Sequence, residues 1–443
     1  MKVLILAAGR SKRVKPIEDK NFLRFCGKYL IQHQIEALHQ SGMSDIVIIG
    51  GAHNLERLQG FAKELGEDRS DLNLAVIEQK DLEAGMAGAV MSAYEATQPE
   101  DSILIVSSND VMDAEAYRLV FDASQNDAYD SYILGKRVTE YFPGGYLEVD
   151  ENAQIKSIIE KPGEGNEPSD LVNLVLHFHR DPKRLYEALQ KTETSNDDRY
   201  EVALDQMIQS GVKMQAIGYS GYWQPIKFPW DILEVAKYYY DVTPNQIASS
   251  ATVNERANIV GEVIIGEGAK VFAGATIVGP AYIGANTVVA TNALVRDSYL
   301  GENCVVGYNT EIARSFLSDD VWTHSNYIGD SIVGDNVSFG AGTITGNLRF
   351  DEGNIQVTIE DDRVDSGQNK LGIITGNNIR VGINTNFMPG IKIGSETLIG
   401  AGINIAQDIP ENSYVEGEPS SQIKISQNRA NPLPSREEMR KKL

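Results

Sequence analysis

The chain is predicted to fold as two parts in succession: an α/β domain on a layered sheet, then a parallel β-helix. Two patterns in its 443 residues carry that reading. The first is a ladder of β-branched residues at every sixth position: Val253, Ile259, Ile265, Val271, Ile277, Ile283, Val289 and Val295. The step returns at Val381, Phe387, Ile393, Ile399 and Ile405. A fixed six-residue apolar period means one short unit repeated, each coil having three flat faces that each turn one aliphatic side chain inward. Gly266, Gly279 and Gly284 fall near the corners, where a backbone turns most freely without a Cβ. The second pattern is an alternation of short aliphatic runs with amphipathic stretches in the N-terminal half. It argues for a mostly parallel sheet with helices on both faces.

Taken in order, the aliphatic runs predict strands at Val3–Leu6, Asp45–Ile49, Leu74–Ile77, Ile103–Val106, Tyr132–Leu134 and Leu171–Phe178. The amphipathic stretches predict helices over Leu30–Ser41, Leu55–Leu65, Gly85–Ala96, Ala114–Asp122 and Tyr200–Ser210. A closing helix over Asp231–Tyr240 and a linker containing Pro244 complete this half. The expected division is therefore 1–238, a linker at 239–250, the β-helix at 251–423 and a tail at 424–443. The polar stretch Asn347–Asn369 breaks the six-step and is read as an insertion left as a loop on one face. The tail carries Pro432 and Pro434 and ends in Arg440-Lys441-Lys442. It is read either as an arm that orders on assembly or as a disordered end.

Composition narrows the function classes. The formal net charge of −22 argues against a nucleic-acid duplex or a membrane surface as partner. Only Cys26 and Cys304 are present, so no disulfide framework is implied and a reducing cytoplasm is expected. No apolar run reaches spanning length, and Met1–Gly9 reads as a buried strand entering a loop rather than a signal segment.

That loop carries the first chemistry. Leu6-Ala7-Ala8-Gly9 is followed by Arg10, Lys12, Arg13, Lys15 and Lys20. Small residues let backbone amides approach an anion, and clustered cations concentrate one locally. Ligands of such sheets bind outside the carboxyl ends of strands, where this loop sits.

The segments beyond it resemble the sugar-1-phosphate nucleotidylyltransferases. That family opens Leu-Ala-Ala-Gly-x-Gly-Thr-Arg with a Lys seven residues after the Arg, a spacing kept by Arg13 and Lys20. Gly85-Met86-Ala87-Gly88-Ala89 resembles its base-binding turn, with Glu78-Gln79 upstream. Asn109-Asp110 is similar to its metal-holding Gly-Asp pair, and Gly145-Tyr146 with Glu160-Lys161-Pro162 to its sugar-binding signature. Asn173 falls where the family has an Asn reaching the sugar, and Trp223 and Pro229-Trp230-Asp231 resemble its closing segment.

The resemblance implies a Rossmann-like mixed sheet and transfer of a nucleotidyl group from UTP or dTTP to a sugar-1-phosphate. Ala8, Gly9, Glu78, Gln79, Gly85 and Met86 are implied to bind the nucleotide. Arg13 is implied to hold the leaving β/γ-phosphates and Lys20 the α-phosphate. Asp110 is implied to hold Mg²⁺; Gly145, Glu160, Lys161 and Asn173 take the sugar phosphate. Such a reaction depends on in-line positioning, cations and a hard metal more than on covalent help. The chain departs from the pattern at Ser11 and Lys12, where the family has Gly and Thr, and at Asn109. It also has Pro225 where the family has a second carboxylate, with Lys227 nearby.

In the β-helix half, His324-Ser325-Asn326-Tyr327-Ile328-Gly329-Asp330 and Gly340-Ala341-Gly342-Thr343-Ile344-Thr345-Gly346-Asn347 are similar to the bifunctional members. Those join the nucleotidyltransferase to a hexapeptide-repeat acetyltransferase with a left-handed β-helix. His324 is the one histidine of this half, and an imidazole suits the base that takes a proton from an attacking amine. The resemblance implies Asn347 at the acceptor amine and Tyr327 at its sugar or phosphate. It also implies Arg296 and Arg314 at the phosphate, Ala341 and Ala401 beside acetyl-CoA, and a homotrimer with acetyl-CoA sites between subunits. Leu348-Arg349-Phe350 follows Asn347 where the best-known member has a tyrosine, and Ala313 stands at or beside a lysine position. Two narrower readings keep one activity each: a nucleotidylyltransferase whose β-helix only oligomerises, or an acetyltransferase whose first domain binds a nucleotide-sugar without making it.

Overall fold

The computed structural model describes residues 1–98, 101–196, 198–417 and 423–426. The tail from residue 427 onward lies outside the described residues. By its contacts the chain forms two compact units: Met1–Arg10 with Leu30–Pro225, and Ser11–Tyr29 with the chain from Ile226 onward.

In the first unit, strands and helices run β1 (Lys2–Leu6), α1 (Leu30–Gln40), β2 (Asp45–Gly50), α2 (Leu55–Asp68), β3 (Asn73–Glu78) and α3 (Gly85–Ser92). They continue as β4 (Ile103–Ser107), β5 (Asp110–Met112), α4 (Ala114–Ser124), β6 (Ser131–Arg137), β7 (Gly145–Val149), β8 (Ile155–Glu160) and β9 (Leu171–His179). Last come α5 (Pro182–Lys191), α6 (Arg199–Gln209), β10 (Met214–Tyr219) and β11 (Trp223–Pro225). Nine strands share one sheet in the order β8-β7-β9-β4-β1-β2-β3, with β6 paired to β9 and β10 to β6. Val3, Leu4 and Ile5 of β1 are fully buried, as expected of a central strand covered on both faces.

The sheet is mixed rather than mostly parallel. β4, β1, β2 and β3 run parallel, whereas β9 is antiparallel to β4, β6 and β7. The antiparallel edge arises locally. Asp150 accepts from Asn152 N and Gln154 N, each at 3.0 Å, closing a tight turn that folds β8 back on β7. Helix α5 was not among the predicted helices, yet Asp181 caps it and Pro182 opens it, a standard start signal.

In the second unit, parallel strands form the three faces of the β-helix, one face being divided between a four-stranded and a five-stranded sheet bridged by Trp322. The ladder residues from Ile265 to Val295 are buried, and Val253 and Ile259 pack on the same core. Val271 pairs with Val289, eighteen residues on; Val289 with Val306, seventeen on; Ile312 with Ile328, sixteen on. The coil therefore continues beyond Val295. The six-step disappears from the sequence because successive corners shed a residue. Many corners are turned by asparagine in the left-handed region, among them Asn286, Asn292, Asn303 and Asn309. Gly279 and Gly284 serve close approach instead: a Cβ at Gly279 would lie 1.8 Å from Glu262 O, and one at Gly284 2.3 Å from Gly301 O. The insertion after Asn347 is more than a loop. It is a hairpin of Gln356–Ile359 and Asp362–Asp365, anchored by buried Ile355 and Val357.

The segment Ser11–Tyr29 and helix α7 (Asp231–Val242) lie on the outside of this β-helix. Tyr282, Tyr299 and Phe316 stack on successive coils, 4.7 and 5.0 Å between centroids, and Phe25 covers Phe316 at 5.5 Å. Tyr239 of α7 meets Phe25 at 5.3 Å. Arg24 pairs with Glu302 at 2.8 Å and Asp319 at 3.3 Å, and Ser395 Oγ donates to Glu18 at 2.8 Å. Among the described residues no helix is long and apolar enough to cross a membrane.

Candidate active sites

In the first unit, the loop leaving β1 is fixed by a buried amide. Asn54 Nδ2 donates to Ala7 O at 3.0 Å, while its Oδ1 accepts from Gly51 N at 2.9 Å. One side chain thus holds the ends of β1 and β2 together, Ala8 is buried, and Gly9 stays open. The turn predicted to face the base is built in the same way. Gln79 is buried, and its Nε2 donates to Asp81 O (2.8 Å) and Gly85 O (2.9 Å). Its amide hydrogens are therefore spent on the turn. Gly85 sits at φ 54° and ψ −142°, a conformation only glycine adopts readily, and starts α3. Met86 lines a cavity of about 290 Å³ between this turn and the start of α6. Glu78 is the last residue of β3.

Three predicted sugar-binding residues come together at the β7–β8–β9 edge. Gly145 lies opposite Glu160, and a Cβ on Gly145 would meet Glu160 Oε2 at 3.0 Å and Asn173 Nδ2 at 3.3 Å. The glycine keeps that recess open. Lys161 adjoins it, with Nζ 3.2 Å from Glu160 Oε1. Asn173 Oδ1 faces His177 Nε2 at 2.8 Å. Asp110, nearly buried, begins β5 and pairs in register with Pro225 of β11. The proline therefore stands where a second metal carboxylate is expected and offers none. Among the described residues no three His, Cys, Asp or Glu gather as a metal site. A single carboxylate fits Mg²⁺, which keeps several waters and completes its shell with substrate phosphates.

In the second unit, Ser11 adopts φ 53° despite its Cβ, so the left-handed turn survives the Gly-to-Ser departure. Arg13 lies in the short helical turn Lys12–Val14 that follows. Lys20 Nζ donates to Ile226 O at 3.3 Å. Asp231 Oδ2 accepts from Lys227 N and Phe228 N, both at 2.7 Å. Burial pushes its carboxyl up to about 6, against those two bonds and the Lys227 and Lys20 charges.

On the β-helix, His324 is exposed at a corner. Its turn is tied to the next coil by Asn326, whose Nδ2 donates to Gly340 O (2.8 Å) and Thr343 O (3.1 Å). Gly307 makes room beneath: a Cβ there would lie 2.3 Å from Thr323 O. Above, Ala341 and Ala401 are exposed at the same corner of later coils, linked by the bonds Asn384 N to Ala341 O and Gly402 N to Ile383 O. Arg314, Tyr327 and Asn347 meet through Asp330. Arg314 donates two bonds to Asp330 (2.6 and 2.7 Å), and Asn347 Nδ2 donates to Asp330 and to Tyr327 Oη at 3.2 Å. The bond to Asp330 holds the Arg314 guanidinium above its ordinary value. Arg296 donates to Glu311 at 2.9 and 2.7 Å, on a strand whose Glu311 pairs with Tyr327 of the next coil. Asn54, Asn326, Glu311 and Asp330 escaped the sequence reading as site-building residues. Only Asn326 and Asp330 had a signal, their place in the His324 string.

The family model described as nucleotidyl transferase matches residues 2–241. The chain is 32% identical over 432 residues to the bifunctional protein GlmU of Methanocaldococcus jannaschii, covering 94% of this chain and 97% of that protein. It is 33% identical over 419 residues to the bifunctional sugar-1-phosphate nucleotidylyltransferase/acetyltransferase of Sulfurisphaera tokodaii, covering 92% and 98%. A glucose-1-phosphate thymidylyltransferase of Streptomyces antibioticus is 28% identical over 299 residues, covering 66% of this chain and 80% of that one. The chain belongs to the nucleotidyl transferase family and, along nearly its whole length, to its bifunctional nucleotidylyltransferase/acetyltransferase branch.

Proposed function

We propose that this enzyme makes a nucleotide-sugar with two activities, one in each half of the chain. Residues 251–423 move acetyl from acetyl-CoA to an amino-sugar-1-phosphate, and residues 1–238 move a nucleotidyl group from UTP or dTTP to a sugar-1-phosphate. The observation that carries the two-activity reading is the match to bifunctional relatives across both halves.

In acetyl transfer, exposed His324 takes the proton of the acceptor amine as its nitrogen attacks the thioester, and CoA leaves as the thiol. Asn347 orients that amine, Tyr327 contacts the sugar, and Arg296 and Arg314 bind its phosphate. Ala341 and Ala401 leave the corner flat enough for the acetyl-CoA chain. In nucleotidyl transfer, Arg13 draws the departing pyrophosphate and Lys20 steadies the α-phosphate. Gly85, Met86, Gln79 and Glu78 receive the base, with Ala8 and Gly9 along the phosphates. Glu160, Asn173, Lys161 and Gly145 seat the sugar-1-phosphate. Asp110 would hold Mg²⁺, which supplies charge neutralisation at the phosphates when bound. The protein works in the cytoplasm as a homotrimer, a symmetry that the flat faces of a β-helix suit.

The test is His324→Ala in the full-length protein, assayed for CoA and pyrophosphate release across sugar phosphates and triphosphates. CoA release should fall by at least about 100-fold, with pyrophosphate release unchanged. Wild-type CoA release from the variant would overturn the acetyl-transfer reading.

A further inference from the structure

Five buried polar side chains run in line beneath the sugar recess: Ser131, His179, Tyr200, His177 and Asn173. Ser131 Oγ is 2.9 Å from His179 Nδ1, and His179 Nε2 is 3.3 Å from Tyr200 Oη. Tyr200 Oη is 2.9 Å from His177 Nδ1, and His177 Nε2 is 2.8 Å from Asn173 Oδ1. All five are at most 8% exposed, so none of these contacts is shared with bulk water. Burial pushes both imidazoles down to about 3; at His177 the neighbouring His179 adds to this and the Leu174 carbonyl opposes it. Each ring is therefore neutral near pH 7 and carries one N–H.

With each ring carrying one N–H and Tyr200 donating within the line, two proton orders keep all four contacts bonded, each the reverse of the other. In the first, Ser131 donates to His179 Nδ1, His179 Nε2–H to Tyr200, Tyr200 to His177 Nδ1, and His177 Nε2–H to Asn173 Oδ1. The Asn173 NH₂ then faces the recess. In the second, every bond reverses, and the amide oxygen of Asn173 faces the recess. The recess decides between them. Glu160 Oε2 and the outer amide atom of Asn173 lie 3.0 and 3.3 Å from the same point above Gly145. The Glu160 carboxylate favours a facing donor and repels a facing carbonyl oxygen, while Lys161 Nζ, 3.2 Å from Glu160 Oε1, offsets part of that charge.

We propose that this relay has a fixed polarity and presents Asn173 to the substrate as a hydrogen-bond donor only, which makes His177 a positioning residue for sugar recognition. The proposal rests on the reading of Asn173 as a sugar-binding residue. It assigns a chemical class to what Asn173 touches: an oxygen with free lone pairs, such as a hydroxyl, ether or amide oxygen. A buried relay holds this better than a lone asparagine, because turning the amide over would require every proton in the line to move.

Neutron diffraction from the deuterated full-length protein tests the polarity directly. Deuterons are expected on Nε2 of His177 and His179 and not on Nδ1; a deuteron on Nδ1 of either ring overturns the proposal. Kinetics test the role. His177→Phe should raise KM for the sugar-1-phosphate about tenfold, leaving KM for the triphosphate unchanged, and His177→Gln, which can still donate, should recover part of it. Asn173→Asp keeps the bond from His177 but loses the outward donor, so it should be as damaging as Asn173→Ala. Wild-type sugar KM in His177→Phe, or an active Asn173→Asp, would refute the role. Absence of pyrophosphate release from the unmodified enzyme would instead fault the functional reading, and the neutron result would stand apart from it.

Discussion

Asp231→Asn should remove a pH-dependent cost that the folded chain now carries. The Asp231 carboxyl lies near 6 in the native state and near 3.9 in the unfolded chain. Its folded pKa is raised, so between those values the native state holds a proton that the unfolded state has released. Stability from this group is fully present below about pH 4 and is lost as pH rises through about 6. Two pH units at about 1.4 kcal/mol each give about 3 kcal/mol over that window. Asparagine has no proton to lose, and its Oδ1 can still accept from Lys227 N and Phe228 N. Urea unfolding of both proteins from pH 4 to 7 isolates the effect, since every other carboxylate cancels in the difference. The variant should gain about 2 to 3 kcal/mol on the unmodified protein across the window. A difference that stays flat, or falls, would refute the claim that desolvation dominates the two backbone bonds and the lysine charges.

Two further substitutions probe the scaffolding of the sites. Asp330→Ala strips the partner from Arg314 and Asn347 at a buried position, and should cost about 3 kcal/mol in urea unfolding while raising the acetyl-acceptor KM. Gly85→Ala imposes a Cβ on a glycine-only conformation. It should cost about 1 to 3 kcal/mol and weaken triphosphate binding, read by titration calorimetry.

The β-helix was legible because its inward positions repeat, and repetition survives in one sequence. It faded from Val295 onward only because coils shorten from eighteen residues to sixteen, which shifts the phase without changing the core. Central strands were legible as aliphatic runs. The β7–β8 hairpin was not predicted, because its direction is set by one aspartate gripping two amides. Motif residues at the sites were readable, and Gly145, Glu160 and Asn173 do meet. Their supports were hidden. Asn54 reaches Ala7 across 47 positions, and His177 lies on the same strand as Asn173 but takes its meaning from Tyr200 and His179. Such partners follow from tertiary register, which no local spacing announces. Ser11 shows the converse: a Cβ disfavours the left-handed region, yet the backbone takes it there at φ 53°.

The attachment of Ser11–Tyr29 to the coils limits how this chain can be dissected. A fragment ending at the linker would release Phe25 from its aromatic cover and Arg24 from both of its acids. The strip bearing Arg13 and Lys20 would lose its mooring even though its own amino acids were intact. Excision of the first half alone thus yields a poor surrogate, and silence from such a fragment says little about the parent enzyme.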